Sequence, residues 1–184
     1  MGGTRTLTRK ARRIKMLLLD VDGVMTDGGI YYSARGAELK RFHAQDGYGV
    51  VRAYERGLKI GIISGRSTPI VDARARDLKV TDLAQGSNDK IAAMDRIRKR
   101  HRLEVDEMAF MGDELFDLPL LGVVGLSLAP RDARLEVRRA VDYVTRAKGG
   151  EGAVREAIDL ILRHRCRRPI RRPGARHAPT RGGW

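Results

Sequence analysis

The sequence has little cysteine, few aromatic residues and no long apolar run. Cys166 is the only cysteine among 184 residues, so an intrachain disulfide is impossible. Aromatic residues make up 5% of the chain, which is too few for a binding surface built from stacked rings. No stretch approaches the roughly 20 apolar residues that a membrane-spanning helix needs. We therefore expect a soluble cytoplasmic protein with no membrane partner.

Acidic residues are missing from both ends of the chain. Residues 1–15 carry six basic side chains and residues 163–184 carry eight arginines, with no Asp or Glu in either stretch. These charges account for the whole formal net charge of +14, because the intervening residues carry 23 basic and 23 acidic side chains. This distribution predicts disordered basic tails at 1–13 and 165–184, one folded domain at 14–164, and no specific nucleic-acid partner.

Short apolar runs alternate with helical patterns along the middle of the chain. The predicted strands cover residues 14–19, 58–63, 81–84, 108–111, 123–128 and 141–144. The predicted helices cover residues 47–56, 69–78, 88–101, 115–122, 133–139 and 153–163. Such alternation is typical of an α/β fold, in which helices connect parallel strands. Residues 28–43 interrupt it and predict a β-hairpin that projects from the sheet.

Two carboxylates follow the first predicted strand, in the stretch Asp20-Val-Asp-Gly-Val. Asp20 and Asp22 lie two residues apart at a strand end and therefore point to the same side, while Gly23 allows a sharp turn. Two carboxylates this close repel each other unless a cation lies near them, so the pair indicates magnesium. An ordinary Asp-Gly turn is the alternative.

Two further stretches indicate an anion-binding site. Ser64 and Gly65 lie between a predicted strand and the start of a helix, where a hydroxyl and free amides can converge on one oxygen. Lys90 falls in the first turn of another helix, where a cation opposes the helix dipole unless an anion is close. A capped turn after the strand, and a surface ion pair of Lys90 with Asp89 or Asp82, remain the alternatives.

Three acidic residues follow the strand predicted at 108–111. They are Asp113, Glu114 and Asp117. The dipole of a helix favours acids at its start, but three exceed what capping needs. Asp113 follows its strand directly, as Asp20 does, and would complete a site of hard oxygen ligands for magnesium.

The order of these motifs resembles the haloacid dehalogenase superfamily of phosphohydrolases, whose four motifs are matched by Asp20 and Asp22, Ser64, Lys90, and Asp113. Longer stretches within residues 14–164 resemble the family of 3-deoxy-D-manno-octulosonate 8-phosphate phosphatases. These stretches are Asp20-Val-Asp-Gly-Val-Met-Thr-Asp-Gly, Ile30-Tyr-Tyr-Ser, Glu38-Leu-Lys, Asp46-Gly-Tyr-Gly, Ile63-Ser-Gly-Arg, Gly86-Ser-Asn-Asp-Lys and Gly149-Gly-Glu-Gly-Ala-Val-Arg-Glu. The resemblance implies a Rossmann-like domain without a separate cap domain. It also implies a homotetramer, in which the hairpin and a neighbouring subunit help to close the active site.

The resemblance also implies a role for each matched residue. Asp20 is expected to be the nucleophile that forms an aspartyl phosphate, and Asp22 the general acid and base. The expected phosphate-binding residues are Ser64, Gly65 and Lys90. The expected ligands of magnesium are Asp20, the main-chain carbonyl of Asp22, and Asp113.

Glu114 departs from the family, whose members usually carry a second aspartate at this position. Glu114 and Asp117 are therefore both candidates for orienting the water molecules on the magnesium ion. The candidates for contact with the sugar are Thr26, Lys40 and Arg66.

The function implied by this resemblance is magnesium-dependent hydrolysis of a phosphorylated 2-keto-3-deoxy sugar acid, as a step in lipopolysaccharide biosynthesis. The expected substrate is 3-deoxy-D-manno-octulosonate 8-phosphate, and the expected products are the free sugar acid and phosphate. Two alternatives stay open. One is a phosphatase of nine-carbon, sialic-acid-type sugar 9-phosphates, and the other is a non-catalytic scaffold that binds polyanions through its basic tails.

Overall fold

A parallel sheet of six strands lies at the centre of the computed structural model, which describes residues 2–34, 36 and 38–165. In chain order the strands are β1 (Met16–Leu19), β2 (Tyr31–Tyr32), β3 (Glu38–Leu39), β4 (Lys59–Ile63), β5 (Asp82–Ala84), β6 (Met108–Met111), β7 (Leu126–Ala129) and β8 (Tyr143–Val144). β2 and β3 pair with each other in an antiparallel hairpin. The other six form the sheet in the order β5–β4–β1–β6–β7–β8, and every pair is parallel.

Helices cover both faces of this sheet. They are α1 (Gly2–Arg13), α2 (Ala44–Glu55), α3 (Pro69–Asp77), α4 (Lys90–His101), α5 (Leu118–Leu121), α6 (Leu135–Ala140) and α7 (Ala153–Arg165). Leu17 and Leu19 of β1 pack with α1, α2, α3 and α7, whereas Met16 and Leu18 pack with α4, α5 and α6. Successive strand residues point to opposite faces, so a strand covered on both sides must be apolar throughout. The continuous run in β1 therefore confirms the predicted α/β class.

The predicted elements overlap the observed ones, with one notable shift at β7. The strand predicted to begin at Val123 begins instead at Leu126. The amides of Val123 and Val124 donate to the carbonyl of Leu120, so these residues continue the turn of α5. Gly125 then passes close to the backbone of Asp106, where a Cβ atom would lie 2.3 Å from the carbonyl oxygen. The strand can start only after this close approach.

α1 replaces the disorder that was predicted for residues 1–13. Leu7 and Ala11 pack against the apolar core, and Ala11 is completely buried. With Ile14 they follow the four- and three-residue spacing of one helix face. The apolar face consists of few residues among many basic ones, so the composition alone indicated disorder. The prediction of disorder is wrong for residues 2–13.

The predicted tail at 165–184 lies outside the described residues, apart from Arg165 at the end of α7. Cys166 also lies outside them. Among the described helices, none is both long enough and apolar enough to cross a membrane.

Asp46 caps the start of α7 from the neighbouring helix α2. Its carboxylate accepts hydrogen bonds from the amides of Gly152, at 3.2 Å, and Arg155, at 2.7 Å. The substitution Asp46→Ala should lower the free energy of unfolding by about 1–2 kcal/mol, because both amides lose their acceptor. Urea denaturation of the purified protein measures this loss.

Asp77→Ala is the control for this prediction, because Asp77 is exposed and, among the described residues, pairs with Arg74 of the same helix alone. Its loss should stay below about 0.5 kcal/mol. Equal losses for the two variants would contradict the capping role of Asp46.

Candidate active site

A cleft of about 270 Å³ lies at the carboxyl edge of the sheet. β4, β1 and β6 are parallel neighbours, so the residues that follow them meet at one edge. Asp20 follows β1, Ser64 follows β4, and Asp113 lies two residues beyond β6. The predicted residues that line the cleft are Asp20, Asp22, Ser64, Gly65, Arg66, Asp113 and Glu114.

The loop after β1 is held by hydrogen bonds within its own backbone. The amides of Val24, Met25 and Thr26 all donate to the carbonyl of Val21. The hydroxyl of Thr26 is buried in this loop, where it donates to the same carbonyl at 3.4 Å and accepts from the amide of Gly28 at 3.2 Å. Thr26 therefore stabilises the loop, and its position does not support the expected contact with a substrate.

Three carboxylates converge below the cleft. Asp20, Asp113 and Asp117 each offer an oxygen within 4.8 Å of the others. Burial raises the pKa of Asp113 to about 8, and the negative charges of Asp20 and Asp117 add to this rise. Burial also raises the pKa of Asp20 to about 6, although Lys90 opposes the shift. One oxygen of Asp113, Oδ1, is buried and has no hydrogen-bond partner among the residues that the structure describes. A divalent cation placed here would offset the repulsion among these carboxylates, and Oδ1 of Asp113 offers it a free ligand atom.

Lys90 is a positive charge buried within this group. Its ammonium lies 2.9 Å from Oδ1 of Asp20 and 2.6 Å from Oδ1 of Asp117, and 4.3 Å from the centre of the Phe116 ring. The carboxylates of Asp20 and Asp117 balance the positive charge of this buried ammonium. Lys90, at the start of α4, thus links Asp20 at the end of β1 to Asp117.

The alternative surface pairing of Lys90 is not what the structure shows. Asp89 is the N-cap of α4 and accepts from the amide of Ala92 at 2.9 Å. Asp82 pairs instead with Arg100 at 3.0 Å and His101 at 2.7 Å.

Glu114 and Asp117 occupy different places in the turn that follows β6. The carboxylate of Glu114 accepts from the amide of Leu115 at 2.8 Å, within its own turn. Asp117 is completely buried and accepts from the amides of Asp113, at 3.0 Å, and Glu114, at 3.2 Å. Of the two candidates, Asp117 is the one that lies with Asp20 and Asp113.

Ser64 lies in the turn between β4 and α3. It is almost fully buried, and its hydroxyl accepts from the amide of Arg66 at 3.3 Å. A Cβ atom on Gly65 would meet nothing within 4 Å, so this part of the turn borders open space. Thr68 caps α3 by accepting from the amide of Val71. The turn therefore presents a hydroxyl and a glycine amide at the cleft.

Arg66 lines the cleft, and both Arg66 and Lys40 pair with Asp22 and Glu38. Lys40 contacts Asp22 and lies 2.9 Å from Oε1 of Glu38. Arg66 lies 3.1 Å from the same carboxylate and 3.7 Å from Asp22. Burial alone would lower the pKa of Lys40, but its hydrogen bonds with Asp22 and Glu38 raise it above the usual value. The side chain of Lys40 is completely buried, whereas Arg66 is partly exposed and can meet a ligand directly.

Sequence reasoning missed Glu38 and the contacts of two glycines. Glu38 lies two residues from Lys40 on the hairpin, and this alternation could have indicated that they share a face. The amide of Gly150 donates to the carbonyl of Val24 at 3.1 Å. A Cβ atom on Gly149 would lie 1.9 Å from the carbonyl oxygen of Gly23. These glycines therefore let the segment before α7 support the loop of Asp20.

Known proteins match most of this chain. A family model described as haloacid dehalogenase-like hydrolase matches residues 72–158. The 3-deoxy-D-manno-octulosonate 8-phosphate phosphatase KdsC of Escherichia coli (strain K12) is 42% identical over 153 residues, which is 83% of this chain and 81% of that protein.

Solved structures of similar proteins share the fold. The 3-deoxy-D-manno-octulosonate 8-phosphate phosphatase from Yersinia pestis has a TM-score of 0.85 and 41% identity, covering 87% of this chain and 86% of that one. The same phosphatase from Moraxella catarrhalis, in complex with magnesium ion, phosphate ion and KDO, has a TM-score of 0.84 and 37% identity. That match covers 86% of this chain and 91% of the other.

Proposed function

The chain belongs to the haloacid dehalogenase-like family of 3-deoxy-D-manno-octulosonate 8-phosphate phosphatases, and we propose that its cleft hydrolyses this phosphosugar in a magnesium-dependent reaction. One observation of the site carries the proposal. Asp20, Asp113 and Asp117 converge at the carboxyl edge of the sheet, and Asp20 and Asp117 pair with the buried ammonium of Lys90. The expected products are the free sugar acid and inorganic phosphate.

The residues present fit a magnesium ion. We propose that carboxylate oxygens of Asp20 and Asp113 and the main-chain carbonyl of Asp22 hold it. The buried, unpartnered oxygen of Asp113 and the crowding of three carboxylates support this ligand set. When bound, magnesium supplies positive charge that reduces the repulsion between a carboxylate and an anionic phosphate. Asp117, already bonded to two amides and Lys90, would fix the position of Asp113 and orient water.

The residues of the chain divide the chemistry between them. Asp20 attacks phosphorus and forms the aspartyl phosphate, while Asp22 gives a proton to the sugar oxygen as its bond to phosphorus breaks. Asp22 then takes a proton from the water that cleaves the aspartyl phosphate, which frees Asp20 and phosphate. The groups proposed to hold the other phosphate oxygens are the Ser64 hydroxyl, the Gly65 amide and the Lys90 ammonium.

The charged groups beside Asp22 suit the other end of the substrate. Arg66 lines the cleft and is partly exposed, so we propose that its guanidinium meets the carboxylate of the sugar acid. Lys40 is completely buried and contacts Asp22, so we propose that it holds Asp22 in place rather than touching the sugar. Lys40 was expected to contact the sugar, and its proposed role is instead to position Asp22.

We also propose that the protein acts as a homotetramer, in which the hairpin packs against a neighbouring subunit. Ile30, Tyr31 and Tyr32 are all exposed in the single chain, and this contiguous apolar surface supports such a contact. The role in lipopolysaccharide biosynthesis is likewise a proposal, because it depends on the same substrate. A scaffold without activity is not favoured. Apolar residues would stabilise the fold at least as well as the buried charges of the site, so a purely structural role does not account for these charges.

Phosphate release from a panel of phosphosugars tests the substrate. With magnesium present, kcat/KM should be at least about 10-fold higher for 3-deoxy-D-manno-octulosonate 8-phosphate than for a nine-carbon sugar 9-phosphate, because a poorly accommodated carbon unit costs about 1–3 kcal/mol. Reactions without magnesium provide the control and should show no release above background. A higher kcat/KM for the nine-carbon compound would assign the enzyme to that substrate instead.

A further inference from the structure

The six basic side chains of residues 1–15 fall into two sets of three. One set pairs with acids of the folded body, in the contacts Lys10–Asp142, Arg13–Asp106 and Lys15–Glu107. The other set, Arg5, Arg9 and Arg12, is exposed and forms no hydrogen bond or ion pair with a described residue. Half of this charge therefore stabilises the fold, and the other half has no partner within the described part of the chain.

The unpaired arginines lie along one face of α1. Their spacing of four and three residues places them within an arc of about 60° and along about 10 Å of the helix. Leu7 and Ala11, which pack against the core, lie on the opposite side. The helix thus has an apolar face turned to the protein and an arginine face turned to solvent.

The end of α7 extends this arginine face. α7 packs against α1 and carries Arg163 in its last turn. Burial lowers the pKa of His164, and the positive charges of Arg163 and Arg12 lower it further. Arg163 is exposed and, among the described residues, has no acidic partner. The sequence beyond α7 contains six more arginines and no acid.

We propose that the arginine face, formed by Arg5, Arg9, Arg12 and Arg163, binds the phosphodiester backbone of nucleic acids without regard to sequence. Guanidinium groups bind phosphate through two hydrogen bonds, and DNA carries one negative charge per about 1.7 Å of its axis. The four residues include no aromatic ring that could stack on bases. Sequence preference is therefore not expected.

A membrane surface fits this face less well than a nucleic acid does. An amphipathic helix that binds lipid inserts large apolar side chains between the headgroups. On α1 the apolar side chains face the core, and no large apolar residue of α1 or α7 is among the exposed ones. Only the charged side of the helix is available for binding.

The arginine face lies away from the proposed active site. Arg13 and Lys15 pair with Asp106 and Glu107, which directly precede β6, so the end of α1 lies at the amino edge of the sheet. The cleft opens at the carboxyl edge. Bound nucleic acid should therefore leave phosphatase activity unchanged.

Fluorescence anisotropy of the full chain with two unrelated, labelled duplexes of about 25 base pairs tests the proposal. We expect both duplexes to bind at 50 mM salt with similar affinity. The triple variant Arg5→Gln, Arg9→Gln, Arg12→Gln should bind about 10- to 100-fold more weakly at 100 mM salt. Its slope of log K against log [salt] should become shallower by about 2.7, since each lost phosphate contact contributes about 0.9.

A charge-matched control separates the arginine face from net charge. The triple variant Arg76→Gln, Arg96→Gln, Arg138→Gln removes three exposed arginines from α3, α4 and α6 and should bind within about 3-fold of the unmodified chain. Phosphate release should be unchanged in both variants, which shows that they fold. Equal losses in the two variants, or no binding of the unmodified chain at 50 mM salt, would overturn the proposal. Binding to vesicles of anionic lipid but not to duplex would also overturn it.

Discussion

Replacing Asp20 by asparagine is expected to reduce phosphate release by at least about 10⁴-fold, because this residue is the proposed nucleophile. The amide keeps the shape of the side chain in a nearly fully buried position but neither attacks phosphorus nor balances the charge of magnesium. It also removes the negative charge that faces Lys90 at 2.9 Å. Steady-state kinetics on the phosphosugar measures the loss, and circular dichroism checks that the fold is retained.

Asp142→Asn provides a matched control, because Asp142 also pairs with a lysine, Lys10, but directly precedes β8 at the amino edge of the sheet. Its activity should stay within about 3-fold of the unmodified enzyme. Acid quenching during turnover should trap a phosphoryl group that hydroxylamine removes from the unmodified protein and from Asp142→Asn, but none from Asp20→Asn. If the Asp20 variant kept a tenth of the activity, another group would have to be the nucleophile.

The strand ends of the site could be predicted from local sequence. A buried parallel strand is an apolar run, and it ends where a polar residue appears. Asp20 and Ser64 directly follow such runs, and Asp113 follows one after a single glycine. Because parallel strands share a carboxyl edge, these three positions already implied a common site before any distance was known.

The pairing of charges inside the site could not be predicted in this way. Lys40 contacts Asp22 only because the hairpin folds back over the loop of Asp20. Asp117 joins Asp20 and Asp113 because the short helical turn at Leu115–Asp117 brings its carboxylate back onto two amides. Both arrangements depend on the path of the backbone through a turn. Residue type and spacing in the sequence do not specify this path.

The role of α1 was missed for a different physical reason. Its sequence contains no acid and few apolar residues, a composition typical of disorder. Burial of Leu7 and Ala11 and the ion pair of Lys10 with Asp142 depend on α7 and β8, which lie far away along the chain. Tertiary contacts of this kind commonly override local propensity.

Gly23→Ala should reduce kcat/KM on the phosphosugar by about 10²-fold and weaken activation by magnesium by at least about 10-fold, since small displacements of catalytic groups are costly. The new Cβ atom would lie 2.0 Å from Oδ2 of Asp113, so this carboxylate would have to move. Asp113 is a proposed ligand of magnesium, and its Oδ1 is buried without a hydrogen-bond partner in the described part of the chain. The measurement is the dependence of kcat/KM on magnesium concentration.

Gly57→Ala separates this displacement from backbone strain. Gly23 has a φ of +82° and Gly57 a φ of +67°, so both substitutions force alanine into the left-handed region at a cost of about 1–2 kcal/mol. A Cβ atom on Gly57 meets nothing within 4 Å, so the Gly57 variant should lose stability but keep its activity and its response to magnesium. If kcat/KM of Gly23→Ala depended on magnesium concentration as it does in the unmodified enzyme, the proposal would be wrong. Asp113 would then not be a magnesium ligand whose position depends on Gly23.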